Sequence, residues 1–185
     1  MVQSSLARGL AEELQPEGRV ARMYAVLAIT EGSALTFEEF YQAEYPAMVK
    51  AVAVLTRHRE EAEDAVQEAF YRACRDWAKL SEHPAPTAWL HLTASRIAIG
   101  RWRQWRQRIS LFEHEVVDSG VDQDLRLQIF GALRQLDPAS RTVVYLHYFA
   151  DLSVDSVASL VGKPPGTVKS MLHRARHKLE GELAQ

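Results

Sequence analysis

The sequence predicts an all-α fold made of two small helical domains joined by a flexible linker, the C-terminal domain being a helix-turn-helix. Apolar residues recur at helical spacing along most of the 185 residues, and no stretch shows the strict alternation of a half-buried strand. Capping signals also stand ahead of several apolar stripes, where helices are expected to begin. With 47% hydrophobic and 25% charged residues, the chain has the composition of a globular protein that can bury a core.

The first predicted helix begins at a capping box, in which Thr36 is followed three residues later by Glu39. Apolar residues follow at helical spacing, and Pro46 lies among them, which predicts a kink or a break. The N-terminal extension before this helix, residues 1–34, carries leucines at the spacing of a short amphipathic helix. This extension either packs on the rest of the chain, docks a regulator or has no function.

The second predicted helix covers residues 60–77. Its apolar positions form one stripe, which comprises Ala62, Val66, Ala69, Phe70, Ala73 and Trp77. The stripe leaves five other residues on the surface, namely Asp64, Gln67, Glu68, Tyr71 and Arg75. A loop with two prolines, residues 81–87, then ends the helical pattern.

A third predicted helix, residues 88–108, has two opposite faces. The apolar face carries Leu90, Ala94, Ile97 and Trp105, and the basic face carries Arg96, Arg103 and Arg106. Helical periodicity then weakens, which predicts a linker over residues 109–123. We therefore expect an N-terminal domain of residues 35–108 and a C-terminal domain of residues 124–185.

The C-terminal domain ends in a helix-turn-helix pattern over residues 152–179, with a short helix, a glycine-bearing turn and a longer basic helix. At about 100° per residue, the inward face of the last helix carries Val168, Leu172, Ala175 and Leu179. The outward arc carries Lys169, Ser170, His173, Arg174, Arg176 and His177. Such donors reach phosphates and base edges in a major groove, although a solvated amphipathic helix has the same pattern.

Charge is segregated along the chain, whose net charge is only -2. Acidic residues are concentrated in residues 38–76, whereas basic residues cluster in the third predicted helix and in the last one. Because positive charge drives binding to phosphates, this segregation favours a protein partner for the acidic part and DNA for the basic parts. Taken alone, each charged cluster is also typical of an ordinary helix face that is exposed to solvent and binds no partner.

Several classes of protein are disfavoured by the sequence. No apolar run approaches the roughly 20 residues of a transmembrane helix, so we expect a cytoplasmic protein without membrane insertion. Cys74 is the single cysteine, which excludes an internal disulfide. There is no glycine-rich phosphate loop, nucleophile motif or metal-ligand pattern, so no enzyme, cofactor or metal site is predicted.

Two segments resemble the extracytoplasmic-function (ECF) sigma factors of the sigma-70 family. Gly166-Thr-Val-Lys-Ser-Met-Leu-His-Arg-Ala-Arg-His-Lys-Leu179 is similar to the family's fourth-region signature. Ala62-Glu-Asp-Ala-Val-Gln-Glu-Ala-Phe70 resembles its second-region segment, and Trp89-Leu90 the start of its promoter-melting helix. The resemblance covers roughly residues 37–183 and implies a non-enzymatic subunit that directs core RNA polymerase to promoters.

The same resemblance implies roles for the candidate residues. The beta and beta-prime subunits of core RNA polymerase would dock on Asp64, Gln67 and Glu68. Minus-10 promoter DNA would contact Arg96, Arg101, Trp102, Arg103 and Arg106. Minus-35 DNA would contact Lys169, Ser170, His173, Arg174 and Arg176. An anti-sigma factor is a further partner that the family implies.

A second interpretation stays open on the sequence alone. The chain could be a conventional helix-turn-helix regulator whose N-terminal half senses a signal. A sigma factor co-migrates with core RNA polymerase and such a regulator does not, which distinguishes the two. Arg96 and Gly100 stand where the sigma family usually carries asparagine and aspartate, so the details of minus-10 contact are left open by the resemblance.

Overall fold

A computed structural model describes residues 36–108 and 121–183, with side chains over 36–101 and 127–180. Every element in these ranges is a helix or a helical turn, which confirms the predicted all-α class. The predicted extension, residues 1–34, and residues 109–120 of the predicted linker lie outside the described residues. Two compact units are distinguished, Met1–Ala47 and Met48–Gln185, and each is taken by itself below.

Eight α-helices are assigned within the described ranges, along with a 3₁₀ turn at Ala53–Leu55 and a π-helical turn at Tyr145–Phe149. The helices are α1 (Phe37–Val52), α2 (Arg59–Arg75), α3 (Trp77–Leu80), α4 (Pro86–Arg108), α5 (Val121–Arg134), α6 (Pro138–Val144), α7 (Val154–Val161) and α8 (Pro165–Leu183). Among the described helices, none is long and apolar enough to cross a membrane.

The start of α1 in the first unit is the predicted capping box. The Glu39 carboxylate accepts from the backbone N–H of Thr36 at 2.9 Å and from its hydroxyl at 2.7 Å, while the Thr36 hydroxyl oxygen accepts from the Glu39 N–H at 3.3 Å. The bonds from the Thr36 backbone and hydroxyl lower the pKa of Glu39. The break considered at Pro46 is absent, because α1 continues to Val52. Because Pro46 lacks a backbone N–H, the carbonyl of Gln42, four residues earlier, loses its helical hydrogen-bond donor. Both residues are exposed, so water can bond to that carbonyl instead.

Helix α2 buries the apolar stripe that the sequence indicates. Ala62, Val66, Ala69, Phe70 and Ala73 are each at most 2% exposed, and the stripe packs along α4. The helix ends at Arg75, so Trp77 begins the short helix α3 instead of closing α2. The buried stripe determines which side of α2 is left for a partner.

Helix α4 begins with Pro86. Proline lacks a backbone N–H, but in the first turn of a helix that group would have no intrahelical partner, so no hydrogen bond is lost. Leu90 and Ala94 are fully buried and Arg96 is exposed, as predicted. Ile97 of the predicted apolar face is half-buried, and the side chains beyond Arg101 lie outside those that are described. His91 is 1% exposed, and the sequence analysis assigned it no role.

A buried arginine stabilises the junction between α5 and α6. Helix α5 begins at Val121, so residues 121–123 of the predicted linker are helical. Arg141 is 3% exposed and donates to the carbonyls of Leu133, Arg134 and Leu136 at 2.9 to 3.0 Å. Its guanidinium thereby satisfies carbonyl groups at and just beyond the end of α5, which have no intrahelical partner. Burial lowers the pKa of Arg141.

The start of α6 yields a prediction about stability. The Asp137 carboxylate accepts the N–H of Ser140 at 3.0 Å and so caps the helix. Asp137→Ala is expected to cost about 0.5 to 2 kcal/mol in urea denaturation, whereas Asp137→Asn keeps an oxygen acceptor and should cost less. An equal loss for both variants would contradict the capping role.

The same cap has a pH dependence of known sign. Burial acts to raise the pKa of Asp137, but the bonds from Ser140 and neighbouring backbone groups bring it below its ordinary 3.8. Because the folded pKa is depressed, the stabilisation is present above the ordinary value and is lost as the pH falls through the folded pKa.

The helix-turn-helix consists of α7, a tight turn and α8. Ser153 caps α7 by accepting the N–H of Ser156 at 3.1 Å. Gly162 ends α7 with φ 68°, a left-handed conformation that favours glycine. In α8 the predicted inward residues Val168, Leu172 and Ala175 are at most 6% exposed. Leu179, near the end of the helix, is only half-buried.

Candidate functional site

An open cleft on α2 brings the predicted docking residues together. Asp64, Gln67 and Glu68 line it with Tyr71 and Arg101, and we call these five residues the docking cleft. The four α2 residues fall within two helical turns at successive spacings of three, one and three, so they occupy the side of the helix opposite the buried stripe. Arg101 comes from α4, which packs against α2. Tyr71 was predicted to lie on the surface of this helix but was not among the predicted docking residues.

The acidic side chains of the docking cleft are held by exposed ion pairs. The Asp64 carboxylate lies 3.6 Å from the Arg101 guanidinium, with 70% and 49% of the two side chains exposed. Glu68 accepts from Arg72 at 2.9 Å. Exposed pairs contribute roughly 0 to 1 kcal/mol, so a partner with a complementary charge can replace them at little cost.

Tyr71 adds an apolar surface to the acidic one. Tyr71 is 66% exposed. Among the residues whose side chains are described, Tyr71 and Tyr148 are the only large hydrophobic residues that are exposed. Tyrosine is enriched at protein interfaces because one end of the ring is apolar and the other forms hydrogen bonds. The docking cleft therefore combines charge with an aromatic anchor.

The predicted minus-10 residues lie along the second half of α4. Arg96 is exposed on this helix, and Arg101 is the residue paired with Asp64. Trp102, Arg103 and Arg106 belong to the same helix, but their side chains lie outside those that are described. Arg101 thus joins the docking cleft to the basic part of α4.

The predicted minus-35 residues all lie on the exposed arc of α8, namely Lys169, Ser170, His173, Arg174 and Arg176. The Ser170 hydroxyl donates to the Gly166 carbonyl at 2.9 Å, which leaves its oxygen free to accept. Arg174 donates through Nε to the Ser170 carbonyl at 3.3 Å. That bond does not use the two outer nitrogens of the guanidinium.

Arg176 is held differently from Arg174, because it bonds to another element. Its Nη2 donates to the Tyr148 hydroxyl at 2.9 Å, and this hydrogen bond raises the pKa of Arg176 above its ordinary value. Lys178 donates to the Gln135 carbonyl at 2.5 Å. Both side chains therefore lean toward the body of the unit, on the flank of the exposed arc.

Two histidines also lie on α8. The rings of His173 and His177 meet edge to face with centroids 4.6 Å apart, and His177 lies 3.9 Å from Glu180. Across the side chains that are described, no group of three or more His, Cys, Asp or Glu could hold a metal ion. Met171 is 7% exposed, so it packs inward and is not available as a DNA contact.

Comparison with known proteins finds two family models in this chain. The model described as Sigma-70 region 2 matches residues 40–109, and that of Sigma-70, region 4 matches residues 126–179. The two matches together span both candidate surfaces and leave residues 110–125 between them.

Relatives with curated descriptions agree with these matches. The chain is 28% identical over 163 residues to the RNA polymerase sigma-E factor of Streptomyces avermitilis, covering 84% of this chain and 89% of that one. It is 28% identical over 141 residues to the ECF RNA polymerase sigma factor SigW of Bacillus subtilis, covering 66% and 75%. In fold it resembles the sigma factor RpoE of Bartonella quintana, crystallised with the anti-sigma factor NepR, with a TM-score of 0.61, 24% identity and coverage of 80% and 96%.

Proposed function

Since the chain belongs to the sigma-70 family, in its extracytoplasmic-function group, we propose that its docking cleft binds core RNA polymerase and that two basic helices, α4 and α8, bind promoter DNA. It binds core RNA polymerase and directs the enzyme to specific promoters for transcription initiation. The observation that carries the division is the separation of surfaces, with the acidic residues on α2 and the exposed basic arc on α8.

In our proposal, residues 35–108 form the region 2 domain, residues 109–123 the linker and residues 124–185 the region 4 domain. Asp64, Gln67 and Glu68 contact the beta or beta-prime subunit, and Tyr71 packs at the centre of that contact. The weak internal ion pairs of the cleft support this role, because a partner can exchange them without leaving a buried charge.

Promoter recognition is assigned to two helices. In α4 we propose that Arg96, Arg101, Arg103 and Arg106 hold the backbone of the minus-10 region while Trp102 stacks on a base. In α8 we propose that Lys169, Ser170, His173 and Arg174 contact minus-35 bases and that Arg176 holds a phosphate. The exposure of the α8 arc and the anchoring of Arg176 by Tyr148 support this distinction.

We further propose that the chain is not an enzyme, needs no cofactor and acts in the cytoplasm, where core polymerase and the chromosome are found. The Bartonella relative was crystallised with an anti-sigma factor, and we infer that this chain also has one. A conventional regulator is the weaker alternative, since it gives the docking cleft and the region 2 match no purpose.

Run-off transcription tests the proposed function. Core polymerase should initiate at a discrete set of promoters from a genomic fragment library when this chain is added, and at none of them without it. The chain should also co-migrate with core polymerase in gel filtration. If it failed to co-migrate yet protected operator DNA by itself as a dimer, the regulator would be the correct interpretation.

A further inference from the structure

Gly100 lies in the interior of α4, where neither the backbone nor the packing of the fold requires a glycine. Helix α4 continues past it to Arg108. Its φ lies outside the left-handed region, which among the described glycines is occupied by Gly162. Apart from its chain neighbours and the backbone of its own helix, a Cβ added at Gly100 would meet no heavy atom within 4 Å. The fold would therefore accept a side chain at this position.

The glycine weakens the helix that contains it. Glycine loses more conformational freedom on folding than alanine does, so in a helix interior it raises the equilibrium constant for unfolding by about twofold to fivefold relative to alanine. Glycine is favoured, however, where another molecule approaches the backbone closely, because a Cβ would keep that molecule away. The residues around Gly100 indicate which kind of molecule would approach.

The surface around Gly100 combines two cations with an apolar side chain. Arg96 and Arg101 are both exposed, and their Cα atoms are about 7.5 Å apart along the helix axis. At about 100° per residue, Gly100 and the half-buried Ile97 lie on the arc between these arginines. We call these four residues, Arg96, Ile97, Gly100 and Arg101, the α4 patch.

The chemistry of the α4 patch fits an unpaired nucleotide. Guanidinium groups bind phosphates, and an apolar surface between them can contact the face of a base. Arg101 also pairs with Asp64 at 3.6 Å, but that pair is exposed and can be exchanged for another anion at little cost. In a duplex the faces of the bases are covered by stacking, whereas an unpaired base has a free face. The patch therefore fits a melted strand better than a paired one.

We propose that Gly100 is a specificity-determining position, which seats one unpaired nucleotide of the minus-10 region against Ile97 and the backbone of α4. Arg96 and Arg101 hold the phosphates on either side of this nucleotide. The proposal rests on the proposed function, which assigns both arginines to minus-10 DNA. It adds that the absence of a side chain between them is needed for the contact, so that stability of α4 is given up for binding to melted DNA.

The variant Gly100→Ala should change stability and DNA binding in opposite directions. In urea denaturation of the free chain, the equilibrium constant for unfolding should fall by about twofold to fivefold. With core polymerase, the variant should bind at least about fivefold more weakly to a promoter whose minus-10 strands are mismatched, because an added methyl group forces a close contact apart. At a low temperature that keeps the strands paired, affinity for the same promoter as an intact duplex should change by less than about twofold.

Gly131→Ala is the matched control. Gly131 lies within α5, an added Cβ there would also meet open space, and the residue is outside the docking cleft, α4 and α8. The control should stabilise the free chain and leave both promoter affinities unchanged. Gly100→Leu adds a larger side chain that also favours a helix, so it should weaken binding to the mismatched promoter more than Gly100→Ala does.

The outcomes separate failure of this proposal from failure of the proposed function. If Gly100→Ala stabilised the free chain but bound the mismatched promoter as tightly as the unaltered chain, the seat would be wrong although transcription continued. Equal losses on the mismatched and the paired promoter would also overturn it, because they would place a duplex on the α4 patch. Lower stability of Gly100→Ala would show that the fold requires the glycine, with the same consequence. Absence of run-off transcription with the unaltered chain would instead overturn the proposed function.

Discussion

Reversing two charges in the docking cleft is expected to abolish binding to core RNA polymerase. In the variant Asp64→Lys with Glu68→Lys, two acidic contacts become repulsive, and like charges across an interface cost several kcal/mol. The expected loss of affinity is at least about 100-fold, measured by fluorescence anisotropy with labelled chain and purified core polymerase. The fold should survive, because both side chains point away from the buried stripe and make only exposed ion pairs.

Two further variants show whether the loss is specific to the contact. The neutral pair Asp64→Asn with Glu68→Gln keeps the side-chain shapes and should lose less affinity than the reversal. The exchange Asp64→Arg with Arg101→Asp preserves both the net charge and the internal ion pair, yet it moves the Asp64 carboxylate from α2 to α4. It should also bind weakly. If the reversal variant bound core polymerase as tightly as the unaltered chain, the assignment of the docking cleft would be wrong.

Local periodicity accounts for what the sequence could predict of these surfaces. The stripe from Ala62 to Ala73 on α2 is buried as predicted, because which residues share a helix face depends only on their spacing. The same reasoning located the inward residues of α8 and the capping box of Thr36 and Glu39, which are three residues apart. Features determined within one or two helical turns are accessible from sequence.

Long-range contacts explain what the sequence analysis missed. Arg141 looks like a surface cation by type, but it is buried because the carbonyl groups at the end of α5 lie within its reach. His91 and Tyr145 meet only through the tertiary packing of α4 on the π-helical turn. Arg101 was assigned to DNA from the family resemblance, and its pairing with Asp64 depends on how α2 and α4 pack. No spacing rule predicts such pairs.

Replacing Arg174 in α8 by alanine is expected to change which minus-35 sequences are bound, whereas replacing Arg176 should weaken binding to all of them. The outer nitrogens of Arg174 project from the exposed arc, and a bidentate contact to a base is worth about 1 to 3 kcal/mol. Arg176 is tied back to Tyr148 on the flank, where a phosphate is the natural partner. Loss of the Arg176 side chain should reduce the magnitude of the slope of log affinity against log salt concentration by about one.

The measurement for this helix is polymerase-bound affinity on a panel of single-base minus-35 variants at several salt concentrations. Arg174→Lys is the matched control, because it keeps the charge but loses the planar, two-pronged donor geometry. It should retain the salt dependence of the unaltered chain and lose discrimination at the same base as Arg174→Ala. Unchanged base preference in both Arg174→Ala and Lys169→Ala would contradict the assignment of the α8 arc as the surface that contacts bases.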